Sequence, residues 1–146
     1  VSMGFDLILH ASCVAKNRRA LLILGASGSG KSTLALQLMA LGAGLVADDR
    51  TMLTKDDLRL IADCPEAIRG RIEARGVGIL NADPAGPAEV VLAVDLDRPE
   101  PDRLPPHRHI DFLGRKLPLV LGKGRDHLAS ALLQYLVAGR WDRDQT

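Results

Sequence analysis

Apolar and polar positions along the chain sort into short strands and two helices. Phe5–Val14 is rich in apolar residues and Ala20–Leu24 is an unbroken apolar run, with the polar stretch Lys16-Asn17-Arg18-Arg19 between them. That pattern predicts a β-hairpin whose second strand leads straight into a glycine-rich loop. Thr33–Leu41 switches to helical spacing, with Leu34, Leu38 and Leu41 on one buried face and Gly42 or Gly44 as the stop. Leu45-Val46-Ala47 is a short buried strand ending at Asp48-Asp49. Thr51–Leu53 and Leu58–Ala62 flank Lys55-Asp56-Asp57 as a second hairpin.

Periodicity then fades. Cys64–Leu80 is rich in glycine and arginine and reads as a loop. Val90–Val94 is a strand, and Asp97–Arg108, with Pro99, Pro101, Pro105 and Pro106, is an irregular exposed connection. Ile110–Leu113 and Leu117–Leu121 are further strands. Asp126–Ala138 is the second helix, capped by Asp126, with Leu128, Leu132 and Tyr135 inward and Gly139 as its stop. Helices alternating with hairpins predict a single α/β domain with a mixed sheet over residues 1–146.

Composition narrows the function classes. The 146 residues suffice for one domain with a real core. Aromatic residues make up 3%, which argues against binding single-stranded nucleic acid by base stacking. A formal charge of +1 provides no global field for DNA or an anionic membrane. No apolar run is long enough to span a bilayer and no signal peptide is visible, so a cytoplasmic location is expected. Cys13 and Cys64 lie outside any metal-ligand spacing and are expected to be reduced and buried. His107, His109 and His127 form no metal-ligand arrangement and are read as surface or capping residues.

The chemistry is concentrated in two places. Gly25-Ala26-Ser27-Gly28-Ser29-Gly30-Lys31-Ser32 matches the phosphate-binding pattern G-x-x-x-x-G-K-[ST] in full. Its glycines let successive backbone N–H groups converge on phosphate oxygens, and the following helix, from Thr33, aims its positive end at the same place. Lys31 would reach the β- and γ-phosphates and Ser32 would supply an oxygen to Mg²⁺. Asp48-Asp49, at the end of an apolar strand, places carboxylates where a metal and an attacking hydroxyl would meet. Asp48 is assigned to metal and orientation and Asp49 to proton transfer.

Several features in order resemble the catalytic domain of the HPr kinase/phosphorylase family. They are His10 in Leu9-His10-Ala11, the P-loop, Leu45-Val46-Ala47-Asp48-Asp49-Arg50, and Glu73-Ala74-Arg75-Gly76-Val77-Gly78-Ile79, which matches the family's E-x-R-G-x-G-I. Asp102-Arg103-Leu104 is similar to its D-R-L and Gly122-Lys123-Gly124-Arg125 to its basic C-terminal loop. The resemblance implies a P-loop fold akin to phosphoenolpyruvate carboxykinase. It further implies an ATP- and Mg²⁺-dependent kinase acting on a serine of the phosphocarrier HPr, or of a nitrogen-system paralogue, and a phosphorylase reaction releasing pyrophosphate. His10, Lys31, Asp49 and Arg103 would be active-site residues, and Ser32 and Glu73 would bind Mg²⁺. Glu73, Arg75, Gly76 and Gly78 would serve both reactions, and Lys123 and Arg125 chiefly dephosphorylation. The family's usual N-terminal domain has no counterpart here, as in its compact forms, so self-assembly, regulation and the phosphorylase half are left open. Two other readings use the same P-loop: a small-molecule kinase, with Arg69, Arg71 and Arg75 as part of a lid, and a nucleotide-sensing module without turnover. The Glu73–Ile79 segment disfavours the first, and the intact Lys31, Ser32, Asp48, Asp49 and Glu73 set disfavours the second.

Overall fold

A computed structural model describes residues 5–142. The stretch from Phe5 to Val14 is not one strand. It breaks at His10-Ala11 into β1 (Leu7–Leu9) and β2 (Ser12–Lys16), because the two pieces take different partners. β2 forms the expected hairpin with β3 (Arg19–Leu24), Lys16 facing Arg19. Asn17 and Arg18 at its turn have φ of 54° and 64°, the doubly positive geometry that matches strand twist across a two-residue connection. β1 instead pairs with β5 (Thr51–Asp56).

The first helix, α1, runs Lys31–Ala40, starting two residues earlier than its periodicity suggests. It ends at Gly42 and not Gly44. Gly42, with φ 112°, donates its N–H to the Met39 carbonyl, and the Ala43 N–H reaches back to Leu38, closing a left-handed helix terminus. Leu34 and Leu38 are buried as expected. Leu41 lies one residue past the last helical position, leaves the buried face and is 48% exposed.

β4 (Gly44–Ala47) follows, and β5 forms the predicted hairpin with β6 (Arg59–Asp63). The segment read as a loop has structure: a single 3₁₀ turn at Glu66–Ile68, then the antiparallel pair β7 (Arg71–Ala74) and β8 (Gly78–Asn81). Apolar alternation is confined to the four residues Arg71–Ala74, with Ile72 and Ala74 buried, while β8 is exposed at every position. Its turn uses Gly76 at φ 81°, with Val77 N–H donating to the Ala74 carbonyl. β9 (Ala88–Asp95), β10 (His109–Phe112) and β11 (Arg115–Leu121) follow the expected order. The second helix, α2, is Leu128–Ala138. Asp126 does not cap it: the cap position falls on His127, at φ 60°, with no side-chain cap bond. Leu132 and Leu136 are its fully buried leucines, while Leu128 and Tyr135 are half-buried.

The main sheet runs β1-β5-β6-β9-β3-β2-β4, with β11 and then β10 attached beside β9. β9 is its centre, parallel to β3 and β11 and antiparallel to β6, so the sheet is mixed as expected. β3 is buried on both faces, which is why it reads as an unbroken apolar run. Leu21 and Ile23 join Val14, Leu38, Leu132 and Leu136 under the helices, whereas Ala20 and Leu22 join Cys13, Val46, Leu53 and Leu60 on the other face. On that second face β5 and β6 contribute Leu53, Leu60 and Ala62, and β1 and β10 add Leu7, Leu9, Ile110 and Phe112, so strands of the same sheet cover what helices cover on the first. Among the described residues, no helix is long and apolar enough to cross a membrane.

Candidate active site

The strand β3 delivers Gly25 to the P-loop, and packing explains that glycine. A Cβ there would stand 2.3 Å from Ser29 Oγ and 3.3 Å from the Leu96 side chain. Gly30, at φ 101°, turns the loop into α1, and the Leu34 N–H donates to its carbonyl at 2.9 Å. Lys31 is only 6% exposed, and its ammonium donates to the carbonyls of Gly25 (2.9 Å) and Ala26 (3.1 Å). These contacts satisfy a buried charge and hold it at the loop it would serve.

Beside the loop, β4 ends at Asp48, whose carboxylate gathers three segments. Oδ1 accepts hydroxyl hydrogen bonds from Ser32 at 2.6 Å and Ser12 at 2.9 Å, and Oδ2 accepts the Glu73 N–H at 3.0 Å. One carboxylate thereby fastens α1, β2 and the β7–β8 arm around itself. Asp49 adopts φ 67°, and its carboxylate stands 2.5 Å from His10 Nε2, both side chains more than half exposed. A cleft of about 340 Å³ is lined by Ser27, Gly28, Gly30, Lys31, Ser32, Thr33, Asp48, Asp49, Glu73 and Arg75. The P-loop, both aspartates and the signature segment thus open onto one space, with His10 at its rim through Asp49.

Arg103, Lys123 and Arg125 do not line that cleft. Lys123 and Arg125 border a broad hollow of about 960 Å³ on another side of the P-loop, shared with Ala26–Gly30 and Asp97. Arg103 and Arg125 line a neighbouring pocket of about 360 Å³ with Glu100, Arg108, Tyr135 and Arg140. The exposed character expected of Asp97–Arg108 fails at Glu100, which is 8% exposed and takes both arms of Arg108 at 2.8 Å. Arg108 above all, with the Asp102 N–H, holds the Glu100 carboxyl down at about 2. Arg125 donates to the Glu100 carbonyl, pinning the basic loop to this proline-rich segment.

Sequence reasoning missed two groups here. Ser12 is fully buried, two residues after His10 in a strand otherwise apolar up to Lys16; a lone hydroxyl in such a strand is the signal that marks it. Asp97 accepts the Ala26 N–H at 2.9 Å and so holds the P-loop's first turn. Cys13 and Cys64 are free and buried as expected, and burial pushes both thiols up, Cys64 to about 11.

Comparison with known proteins bears on this geometry. The profile of the HPr Serine kinase C-terminal domain matches residues 3–91, more than half of the chain. The chain belongs to this family. The HPr kinase/phosphorylase of Caldicellulosiruptor bescii is 36% identical over 125 residues, covering 77% of this chain and 40% of that protein. Its namesake from Azoarcus is 48% identical over 60 residues, covering 40% and 19%. This chain thus spans less than half the length of these curated relatives. The structure of the HPr(Ser) kinase/phosphatase from Coxiella burnetii superposes with a TM-score of 0.74 at 29% identity, covering 88% of this chain and 86% of that one. The mixed α/β fold is therefore that of an HPr serine kinase domain. Within such a domain, the profile match takes in His10, the P-loop, Asp48, Asp49 and Glu73–Gly78, and stops short of Arg103, Lys123 and Arg125.

Proposed function

We propose that this chain, taken as one catalytic domain, transfers the γ-phosphoryl group of ATP to a serine hydroxyl of an HPr-type phosphocarrier protein and runs the reverse, phosphate-dependent reaction from the same site. The observation that carries this reading is the convergence on one cleft of P-loop Lys31 and Ser32, Asp48 tied to both Ser32 and the Glu73 strand, and Asp49 against His10.

The residues present suit Mg²⁺. Ser32, Asp48 and Glu73 offer the hard oxygen ligands that ion takes. Among the described residues no group of three or more His, Cys, Asp or Glu is placed to hold a metal alone, so phosphate oxygens and water would complete the shell. When bound, the ion would neutralise charge on the transferred phosphoryl group. The chain's own groups do the rest. Lys31 and the loop amides bind the phosphates. Asp49, half-exposed at the cleft, takes the serine proton going forward and returns it in reverse, with His10 holding its carboxylate in place. Arg75, on the same cleft wall, brings positive charge to the phosphoryl oxygens. Lys123 and Arg125 belong to this reading as groups in the hollow that also borders the P-loop, and Arg103 as a group in the neighbouring pocket that Arg125 shares.

The test incubates the protein with γ-labelled ATP, Mg²⁺ and HPr from the same organism. Label on an HPr serine supports the proposal, and its release as pyrophosphate on adding inorganic phosphate supports the reverse half. Label on a metabolite, or tight ATP binding without transfer, overturns it.

A further inference from the structure

Ser12 makes two hydrogen bonds, one to each aspartate of the cleft, and neither the P-loop motif nor the Asp-Asp motif includes it. Its hydroxyl donates to Asp48 Oδ1 at 2.9 Å and accepts the Asp49 N–H at 3.1 Å. A hydroxyl has one proton and two acceptor lone pairs, so both bonds are made at once without competition. The residue is completely buried in β2, whose Cys13 lies opposite Ala47, the last residue before Asp48. Nothing about an apolar strand between a hairpin and the core calls for a hydroxyl here, and burying one costs free energy unless it is fully bonded.

The backbone it holds is an unusual one. The Arg50 N–H donates to the Asp48 carbonyl at 2.8 Å, which makes Asp49 the centre of a three-residue turn, and Asp49 carries φ 67°. Tight turns with a positive φ at a non-glycine centre are strained and persist only where their surroundings impose them. Ser12 takes the one N–H at the centre of that turn. The same hydroxyl fixes the carboxylate of the preceding residue, which Ser32 fixes from the P-loop side. One oxygen thus ties the Asp48 carboxylate to the Asp49 backbone, a link that the Ser32, Glu73 and His10 contacts do not make.

We propose that Ser12 is a positioning residue that sets both aspartates through this single hydroxyl, Asp48 by its side chain and Asp49 by its backbone. The proposal rests on the kinase reading for its effect on turnover, but not for its effect on Asp49. The test compares Ser12→Ala, which removes the hydroxyl, with Ser12→Thr, which keeps it on a side chain suited to a strand. Three quantities are measured: exchange of the Asp49 amide by NMR, kcat and KM for ATP with an HPr acceptor, and Kd for a fluorescent ATP analogue. In Ser12→Ala the Asp49 amide exchanges at least about tenfold faster, as the loss of one hydrogen bond implies. Its kcat falls about 10- to 100-fold, the scale of a misplacement near 1 Å, with KM and Kd for nucleotide held within about threefold. Ser12→Thr returns all of these to within about threefold of the parent. Should Ser12→Ala not fold, Ser12→Cys, which fills the space with a poor hydrogen-bonding thiol, takes its place with the same expectations. Unchanged Asp49 exchange, a loss of nucleotide affinity in place of kcat, or no rescue by threonine overturns the proposal. If the parent protein transfers nothing to HPr, the kinase reading fails, while the exchange comparison still decides what Ser12 holds.

Discussion

Replacing Asp49 by asparagine separates proton transfer from everything else the residue does. Asn is among the few residues that tolerate φ near 67°, so the turn at 48–50 is retained. The amide oxygen still accepts a hydrogen bond from the His10 ring, so the side chain keeps its aim at a contact now 2.5 Å long. Because both partners are more than half exposed, the change in the His10–Asp49 contact is worth less than about 1 kcal/mol of stability. In the proposed reading the nucleotide phosphates are bound by the loop amides and Lys31, none of which Asp49 bonds. What disappears is a base able to take the serine proton, which contributes about 10²- to 10⁴-fold. That corresponds to roughly 2.7–5.5 kcal/mol of barrier. Single-turnover transfer from labelled ATP to HPr, run beside a nucleotide Kd and a thermal melt, therefore shows a loss in rate alone. Asp49→Asn with more than about a tenth of parental kcat, or with a rate loss matched by weaker nucleotide binding, would refute the assignment of Asp49 as base.

Two further perturbations address separate parts of the molecule. Lys31→Met keeps the buried volume while removing the ammonium from the carbonyls of Gly25 and Ala26. Calorimetric titration should show nucleotide Kd rising at least about tenfold, with little change in melting temperature, since the desolvation cost of the buried ammonium goes together with its two carbonyl contacts. For Glu100 the sign follows from its depressed pKa. The unfolded chain binds the proton near the ordinary 4.5 and the folded chain only near 2, so the Glu100–Arg108 contribution is present above that window and lost as pH falls through it. Glu100→Gln accordingly flattens the dependence of melting temperature on pH between 4.5 and about 2, and leaves neutral-pH transfer to HPr intact. An unchanged slope in that interval would show that the pair does not couple to folding.

The legible parts of this protein were those whose geometry is written in contiguous residues. A P-loop is a local object: glycines, a lysine and a hydroxyl at fixed spacing dictate their own backbone path. Leu45–Ala47 followed by Asp48-Asp49 could be read the same way, because a short apolar strand ends where its polarity changes. The two hairpins were likewise visible as polar stretches, Lys16–Arg19 and Lys55–Asp57, between apolar runs, although the second turn falls on Asp57-Leu58. Where one residue decided an end, local reading faltered: Asp126 fell one position short of the helix cap, and Leu41 one past the last helical turn.

Tertiary structure alone decided what is assembled from distant segments. Within Cys64–Leu80 the only strand alternation is the four residues Arg71–Ala74, because the second strand is wholly exposed; Asp48 Oδ2, accepting the Glu73 N–H, helps hold the arm against the cleft. Resemblance places Arg103, Lys123 and Arg125 at the active site, yet the segment after β9 carries Arg103, and the segment after β11 carries Lys123 and Arg125, to pockets other than the cleft of the aspartates. Ser12 stands out as a lone hydroxyl in an apolar strand, but its partners are not legible there. One hydroxyl in an apolar strand has no meaning until sheet pairing brings β4 alongside β2, and only then does it face two carboxylate-bearing residues at once. The sequence by itself determined which chemical groups are available and the local path of the glycine-rich loop. The order of the strands determined which of those groups meet, because side chains far apart in the chain come within hydrogen-bonding reach only through the backbone ladder that closes between them.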